Sequence, residues 1–184
     1  MELVSLCEIA PTTADGGADC RRLSGPLETT AISINHYRLE PGDRISGLHA
    51  HGDQEEVFVG LSGTATFETL AGTRTIDPGE AIRFAPGEYQ SALNDTPEDV
   101  ELLALGAPRD SEDVRIPVPC SACGMDWRRV SLTDDGPALS CPDCGVSRAA
   151  ECEACGSERV RAELAEDGDS VVSVCPGCGG ESSS

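Results

Sequence analysis

The sequence predicts an all-β protein in which a barrel or sandwich of short strands precedes two small cysteine-rich units. Short β-rich runs separated by glycine turns occupy the first part of the chain, and four Cys-x-x-Cys pairs occupy the last third. No convincing helical periodicity interrupts the β-rich runs. The predicted units are a barrel at 1–110, a linker at 111–119, cysteine units at 120–147 and 150–180, and a disordered tail at 181–184.

The β-rich region supplies the first unit. Residues 1–30 are mixed, and from Ala31 to Ala107 eight apolar runs alternate with turn signals such as PGD, LSG, AGT and PGE. Strands of this length and spacing are typical of an antiparallel barrel or sandwich. Residues 107–119 are polar and contain proline, which favours a linker to the cysteine-rich region.

The cysteine-rich region contains an internal repeat. Each unit has two Cys-x-x-Cys pairs, separated by seventeen residues in the first unit and by nineteen in the second. A Cys-x-x-Cys turn places two sulfurs on one face of a tight loop, and four thiolates suit tetrahedral zinc. The units resemble tandem zinc ribbons of the rubredoxin-like type, which implies two structural zinc ions. The two ligand sets would be Cys120, Cys123, Cys141 and Cys144, and Cys152, Cys155, Cys175 and Cys178.

Disulfides, an iron site and redox-active dithiols are the alternatives for these cysteines. The N-terminus lacks a basic region and a sustained apolar stretch, so we expect no signal peptide, a reducing cytoplasmic location and metal ligation. A crossed arrangement, in which the two inner pairs share one ion, would leave only seven residues between them, so sequential pairing is favoured. Cys7 and Cys20 have no partner motif, and we interpret both as free thiols.

The charge balance is strongly acidic. Thirty-three Asp and Glu residues oppose thirteen basic residues, all of them arginine, for a formal net charge of −20. This composition resembles the proteins of extremely halophilic archaea, where salt screens the self-repulsion. Neither half of the chain offers the basic surface that duplex nucleic acid requires. No window approaches the roughly 20 apolar residues of a membrane span, so we expect no membrane partner.

One stretch of the β-rich region has the pattern of a metal site. His49 and His51 are two positions apart on a predicted strand, so both rings project from the same face. Glu56 lies where the next strand begins and can direct a carboxylate toward them. Two imidazoles and one carboxylate are typical ligands of a divalent transition metal with open coordination positions.

The same stretch resembles the first motif of the cupin family, specifically type-2 cupins. That motif runs glycine, His-x-His, a short spacer, glutamate, six residues and glycine, and Gly63 selects Glu56 rather than Glu55 as the ligand. Residues 79–94 resemble the second motif, with Ala85 where a proline is usual and Gln90 where the family supplies its remaining histidine.

The resemblance covers about residues 31–107 and implies a small cupin barrel, a jelly-roll or double-stranded β-helix. It also implies a homodimer through the barrel and one divalent metal, which would be Fe, Mn, Ni or Zn. The expected ligands are His49, His51, Glu56 and, as a weaker neutral donor through its amide oxygen, Gln90. The alternative is a barrel that has lost its metal and keeps its histidines as satisfied polar groups.

The third histidine, His36, lies on a neighbouring predicted strand. Its parity with Ile32 and Ile34 predicts an inward face, where it would line the pocket or replace the missing ligand. The alternative is an ordinary half-buried histidine. The phenylalanines and tyrosines of this region are expected in the core or in the pocket wall.

Three functions compete. The first is a metal-binding barrel that takes a small-molecule ligand and uses its ribbons for protein contact or regulation. The second is a metal-dependent enzyme, an oxidoreductase, isomerase or decarboxylase, and the third is a structural or nucleic-acid-associated adaptor. Gln90 counts against a standard four-ligand enzyme, and no nucleophile motif, phosphate loop or dinucleotide fingerprint is present. The first function is therefore favoured.

Overall fold

The structure is a computed structural model that describes residues 1–134, 136–168 and 170–183. These residues form a single 3-10 turn, Leu6–Glu8, and otherwise strands, so the all-β prediction is confirmed. None of the described ranges contains a helix long and apolar enough to cross a membrane.

The strands of the first unit are β1 (Thr12–Thr13), β2 (Asp19–Arg22), β3 (Ser33–Leu39), β4 (Ala50–His51), β5 (Glu55–Ser62), β6 (Ala65–Thr69), β7 (Gly72–Ile76), β8 (Ala81–Phe84), β9 (Ser91–Leu93) and β10 (Val100–Ala107). Those that follow are β11 (Val114–Ile116), β12 (Arg128–Thr133), β13 (Gly136–Ser140), β14 (Ser147–Ala149), β15 (Arg161–Leu164), β16 (Val171–Val174) and β17 (Glu181–Ser183).

Two antiparallel sheets form the barrel. The larger has the strand order β1-β2-β3-β10-β5-β8, and the smaller has the order β7-β6-β9. Along β10 buried residues alternate with half-buried ones, which is the period of a strand with one face toward a core. The chain's three phenylalanines all meet in that core: the ring centroid of Phe58 lies 5.1 Å from that of Phe67, and Phe67 lies 5.6 Å from Phe84.

Strand register decides which side chains of the larger sheet face the barrel interior. On β3, Asn35 and Tyr37 pair with Ala104 and Leu102 of β10, and the same face continues on β5 through Glu56. His36 has the opposite parity and pairs with Leu103, so it lies on the outer face.

The predicted pocket position of His36 is therefore wrong. Its parity with Ile34 is as expected, but that face is the outside of the sheet, where His36 is buried and its Nε2 lies 3.3 Å from a carboxylate oxygen of Glu101. On the inner face of β3, Ser33, Asn35 and Tyr37 line a cavity, and Leu39 packs in the core.

The cysteine-rich region forms two small antiparallel units. β12, β13 and β14 carry the first, and β15, β16 and β17 carry the second. The tail expected to be disordered instead pairs over Glu181–Ser183 with β16, while Ser184 lies outside the described residues.

The segment predicted as a linker is a structural element. β11 pairs with β12 on one side and with β4 on the other, which gives a continuous sheet in the order β14-β13-β12-β11-β4. One sheet therefore joins the first cysteine unit to the strand that carries His51. The polar residues of 111–119 made this segment resemble a solvated linker, but they bond to polar loops of the barrel.

Asp113 anchors this junction. Its backbone carbonyl accepts a hydrogen bond from the Gly52 N–H at 2.7 Å, and its carboxylate pairs with Arg115 on β11 and with Arg129 on β12. The hydrogen bond from Arg115 holds the pKa of Asp113 below its ordinary value. The carboxylate is thus charged at neutral pH and links barrel, β11 and cysteine unit.

The second cysteine unit also contacts the barrel next to the histidines. The Leu48 N–H donates to the Ala162 carbonyl at 2.6 Å, and the buried Arg44 forms ion pairs with Glu68 of the barrel and Glu163 of β15. A Cβ on Gly47 would lie 2.6 Å from the Arg161 Cβ. Glycine is required here because the two backbones approach too closely for a side chain.

Candidate metal centres

His49, His51 and Glu56 converge in the barrel. One ligand atom of each lies within 4.8 Å of the others. The two rings are nearly perpendicular, with centroids 5.1 Å apart, and His51 Nε2 lies 3.7 Å from a Glu56 carboxylate oxygen. β4 carries His51, β5 carries Glu56, and the turn before β4 carries His49. The three residues that the motif selected are thus brought together.

Hydrogen bonds orient both imidazoles. His49 Nδ1 lies 2.9 Å from the Gly47 carbonyl oxygen, and His51 Nδ1 lies 2.9 Å from the Ser111 hydroxyl, which donates to Asp53 at 2.5 Å. With both Nδ1 atoms engaged, each ring turns its Nε2 inward, which is the usual arrangement of a histidine that binds metal. Burial lowers the pKa of His51, so this ring is neutral at neutral pH, as ligation requires.

Gln90 completes the cluster from the opposite strand. Backbone hydrogen bonds of 2.8 and 3.1 Å pair it with His49, and its side chain is buried. Its amide nitrogen lies 3.4 Å from His49 Nε2 and donates to Glu56 at 3.0 Å. A half-turn of the amide would exchange this nitrogen for the oxygen, the atom that can bind a metal. Without that rotation the Gln90 amide N–H stays hydrogen-bonded to one carboxylate oxygen of Glu56.

Glu55 lies on the other face of β5 and pairs with Arg83 outside the barrel. The cluster therefore includes Glu56 and leaves Glu55 out, as the motif spacing predicted. The interior side opens into a cavity of about 510 Å³ whose wall includes Tyr37, Asn35 and Phe58. Burial, followed by the neighbouring Cys20, raises the pKa of Tyr37 well above its ordinary value, so the phenol stays protonated.

The eight cysteines of the repeat form two clusters with sequential pairing. Their members are Cys120, Cys123, Cys141 and Cys144, and Cys152, Cys155, Cys175 and Cys178. Sulfur–sulfur distances across the clusters are 3.5 and 3.7 Å in the first and 3.6 and 3.7 Å in the second. Zinc with four bonds of about 2.3 Å requires sulfurs about 3.8 Å apart. Both clusters fit such an ion, and their sulfurs are too far apart for disulfides, whose S–S length is about 2.05 Å.

Backbone N–H groups, burial and hydrogen bonds among the four thiols of the first cluster divide their pKa values, so that those of Cys120 and Cys141 are lowered and those of Cys123 and Cys144 are raised. The Ala122 N–H is the largest influence on Cys120; together with the Cys123 N–H it outweighs the effect of burial and lowers the pKa of this thiol to about 6. A thiolate at neutral pH is the form that binds metal. Cys7 is exposed and Cys20 is buried beside Tyr37, and both are free thiols, as expected.

Sequence reasoning missed the groups that orient the ligands. Ser46, whose hydroxyl lies 3.1 Å from His49 Nδ1, belongs to the turn before the motif, and Ser111 belongs to the segment that was predicted to be a linker. Arg22 and Arg109, which line the cavity, were also missed. No spacing pattern marks any of these residues, since each reaches the site through the fold.

Comparison with known proteins agrees with the fold. Residues 35–106 match the family model for the cupin domain. No curated protein matches the chain. The solved structures similar to it share the fold, as three examples illustrate.

A sugar phosphate isomerase of the cupin superfamily from Silicibacter pomeroyi is 19% identical, with a TM-score of 0.60 over 78% of this chain and 94% of that one. A polyketide cyclase from Streptomyces resistomycificus is 20% identical, with a TM-score of 0.55 over 73% of this chain and 89% of that one. A predicted oxalate decarboxylase from Thermotoga maritima is 24% identical, with a TM-score of 0.52 over 58% of this chain and 98% of that one. Residues 35–106 therefore match the cupin domain and have its fold, and two four-cysteine units follow them.

Proposed function

We propose that the protein is a metal-binding cupin module whose barrel metal sits next to a small-molecule cavity and whose zinc ribbons brace the metal-binding strand. The observation that carries the proposal is the triad of His49, His51 and Glu56, with both Nδ1 atoms hydrogen-bonded and both Nε2 atoms directed inward. Such an arrangement suits Fe(II), Mn(II), Ni(II) or Zn(II).

Metal counting tests the barrel site. Protein purified in concentrated KCl and analysed by element-specific mass spectrometry should contain two zinc ions per chain and one further metal that a chelator removes. In His49→Ala the chelator-labile metal should be lost while the zinc remains. His36→Ala, a change of the same size outside the cavity, serves as the matched control and should keep all three metals. A wild-type protein with no chelator-labile metal would refute the barrel site.

The coupling of ribbons to barrel rests on shared backbone contacts. β11 lies between β4 and β12, so the strand with His51 and the first cysteine unit belong to one sheet. The second unit bonds to Leu48, directly before His49. His49 thus follows a direct contact with the second unit, and His51 is joined to the first unit through β11, so loss of zinc from either unit should disturb the histidine positions.

Zinc removal from the first ribbon tests the coupling. In Cys144→Ser, which changes an exposed ligand of the first cluster, we expect the zinc content to fall by one and the affinity of the barrel metal to fall about tenfold, the size of effect seen when groups behind the ligands are disturbed. Cys7→Ser is the control, since Cys7 is exposed and outside both clusters. An unchanged barrel affinity after zinc loss would contradict the bracing role.

A metal-dependent enzyme is the second candidate, because three protein ligands leave coordination positions open toward the cavity. A metal in this site would supply a Lewis acid or an oxygen-binding centre. The chain's own contribution would be the protonated phenol of Tyr37, which can donate a hydrogen bond to a bound oxygen atom. Oxygen uptake or isomerisation of a substrate that is lost in Tyr37→Phe would support this activity.

We also propose that the protein works at high ionic strength, as extremely halophilic archaea require. A net charge of −20 destabilises the compact state unless salt screens it. The melting temperature should therefore rise steeply as KCl is added. A melting temperature independent of KCl would contradict the proposal.

A further inference from the structure

Two of the arginines without a carboxylate partner lie at the same cavity. Seven of the thirteen arginines form ion pairs with a carboxylate; these are Arg38, Arg44, Arg83, Arg115, Arg129, Arg148 and Arg161. Six arginines have no such partner within the described ranges; these are Arg21, Arg22, Arg74, Arg109, Arg128 and Arg159. Two of the six, the exposed Arg22 and the half-buried Arg109, line the cavity beside the metal triad. The cavity is also lined by the carboxylates Asp15, Glu56 and Asp110, but none of them forms an ion pair with Arg22 or Arg109, so both guanidinium groups can meet an anion.

Arg22 reaches the cavity from β2. It lies opposite Asn35 of β3, on the inner face that also carries Tyr37. Both neighbours line the same cavity and supply neutral hydrogen-bonding groups next to the guanidinium. The side chain of Arg22 makes no hydrogen bond to another described residue, so its five N–H groups remain available.

Arg109 is held in place by its other contacts. Its Nη1 donates to the Thr29 carbonyl at 2.5 Å, which fixes one edge of the guanidinium. The Gln54 amide donates to the Pro108 carbonyl at 2.6 Å and so holds the backbone next to Arg109. A guanidinium restrained on one edge can present its remaining donors in the planar geometry that oxyanions match.

A second cavity of about 540 Å³ adjoins the first, and both arginines line both cavities. The space next to the metal triad therefore continues past the two cations. Asp15 and Asp110 are exposed on the same rim and would repel an extended polyanion. This rim favours a small ligand over a nucleic acid.

We propose that the cavity binds a small organic oxyanion, with its carboxylate or phosphate group on Arg22 and Arg109 and a second oxygen on the barrel metal. The inference rests on the proposed function, since the second oxygen requires that metal. It names the chemical class of the ligand.

Calorimetric titration tests the inference with two probes, inorganic phosphate and succinate, at one fixed KCl concentration. The wild-type protein should bind at least one probe saturably, and Arg22→Gln should weaken that binding about tenfold, the effect of losing one charge-assisted hydrogen bond. Arg109→Gln should act in the same direction. Arg21→Gln is the matched control, because Arg21 carries the same charge on the outer face of the same strand, opposite His36.

A preference for phosphate or for succinate identifies the anionic group, and either preference supports the inference. Equal affinity in wild type and Arg22→Gln, or no saturable binding of either probe, would overturn it. Metal content is measured on the same samples. A wild-type protein that holds its barrel metal but shows no arginine-dependent binding would overturn this inference alone. Arginine-dependent binding without a barrel metal would overturn the proposed function.

Discussion

The contact between the second cysteine unit and the barrel makes Gly47→Ala the most informative single change. The added Cβ would lie 2.6 Å from the Arg161 Cβ and 2.9 Å from the Ala162 carbonyl oxygen, whereas carbon contacts need about 3.5–4.0 Å. The backbones must therefore separate by about 1 Å. The distance from the Leu48 nitrogen to the Ala162 carbonyl oxygen, now 2.6 Å, would then exceed that of a hydrogen bond.

The expected loss of stability follows from that separation. Leu48 is fully buried, so its unpaired N–H costs about 1–3 kcal/mol, and the strain of overpacking adds a similar amount. We expect the free energy of unfolding to fall by about 2–6 kcal/mol in all. Because the Gly47 carbonyl also accepts from His49, the barrel metal should bind about tenfold more weakly.

Urea unfolding in concentrated KCl and competitive metal titration measure the two effects. Gly25→Ala is the control, because a Cβ there meets nothing within 4 Å and the residue has no left-handed backbone. A Gly47→Ala protein with wild-type unfolding midpoint and wild-type metal affinity would show that the ribbon does not sit on this turn. The second unit would then not brace the turn that carries His49.

Two further changes address other parts of the molecule. Gln90→His should raise the affinity of the barrel for its metal at least tenfold. An imidazole is a stronger ligand than an amide, and the hydrogen bond from the Gln90 amide to Glu56 would be removed. No gain in a metal titration would mean that position 90 does not reach the metal. Asp113→Asn should destabilise the protein by about 1–3 kcal/mol, because its ion pairs with Arg115 and Arg129 are lost. The fluorescence of Trp127 during unfolding measures this loss. Glu112→Gln, a change at an exposed neighbouring residue, should have little effect. Equal unfolding curves for Asp113→Asn and Glu112→Gln would show that Asp113 does not stabilise the junction.

Most of the features that the sequence predicted depend on residues that lie close together in the chain. Cys-x-x-Cys turns and the His49-x-His51 pair place ligands through one or two residues of backbone, so short-range geometry determines them. Strand positions followed from apolar runs for the same reason, and Gly63 distinguished Glu56 from Glu55. These features need no knowledge of how distant elements pack.

Features that depend on long-range packing were not predictable. His36 shares a face of β3 with Ile34. Which face of the strand is interior depends on the sheet that packs against it, and here the interior face borders a polar cavity. β11 has only three residues, and its pairing with β4 depends on contacts more than 60 residues apart in sequence. Ser111 reaches His51 by the same route.

The position of β4 bears on how the protein can be divided. A protein shortened to residues 1–110 would retain every barrel ligand but would leave one edge of the histidine-bearing strand without its neighbour. Open strand edges recruit other chains, so such a fragment would tend to aggregate. Dividing the chain after residue 110 would therefore remove a strand contact on which the histidine-bearing strand depends.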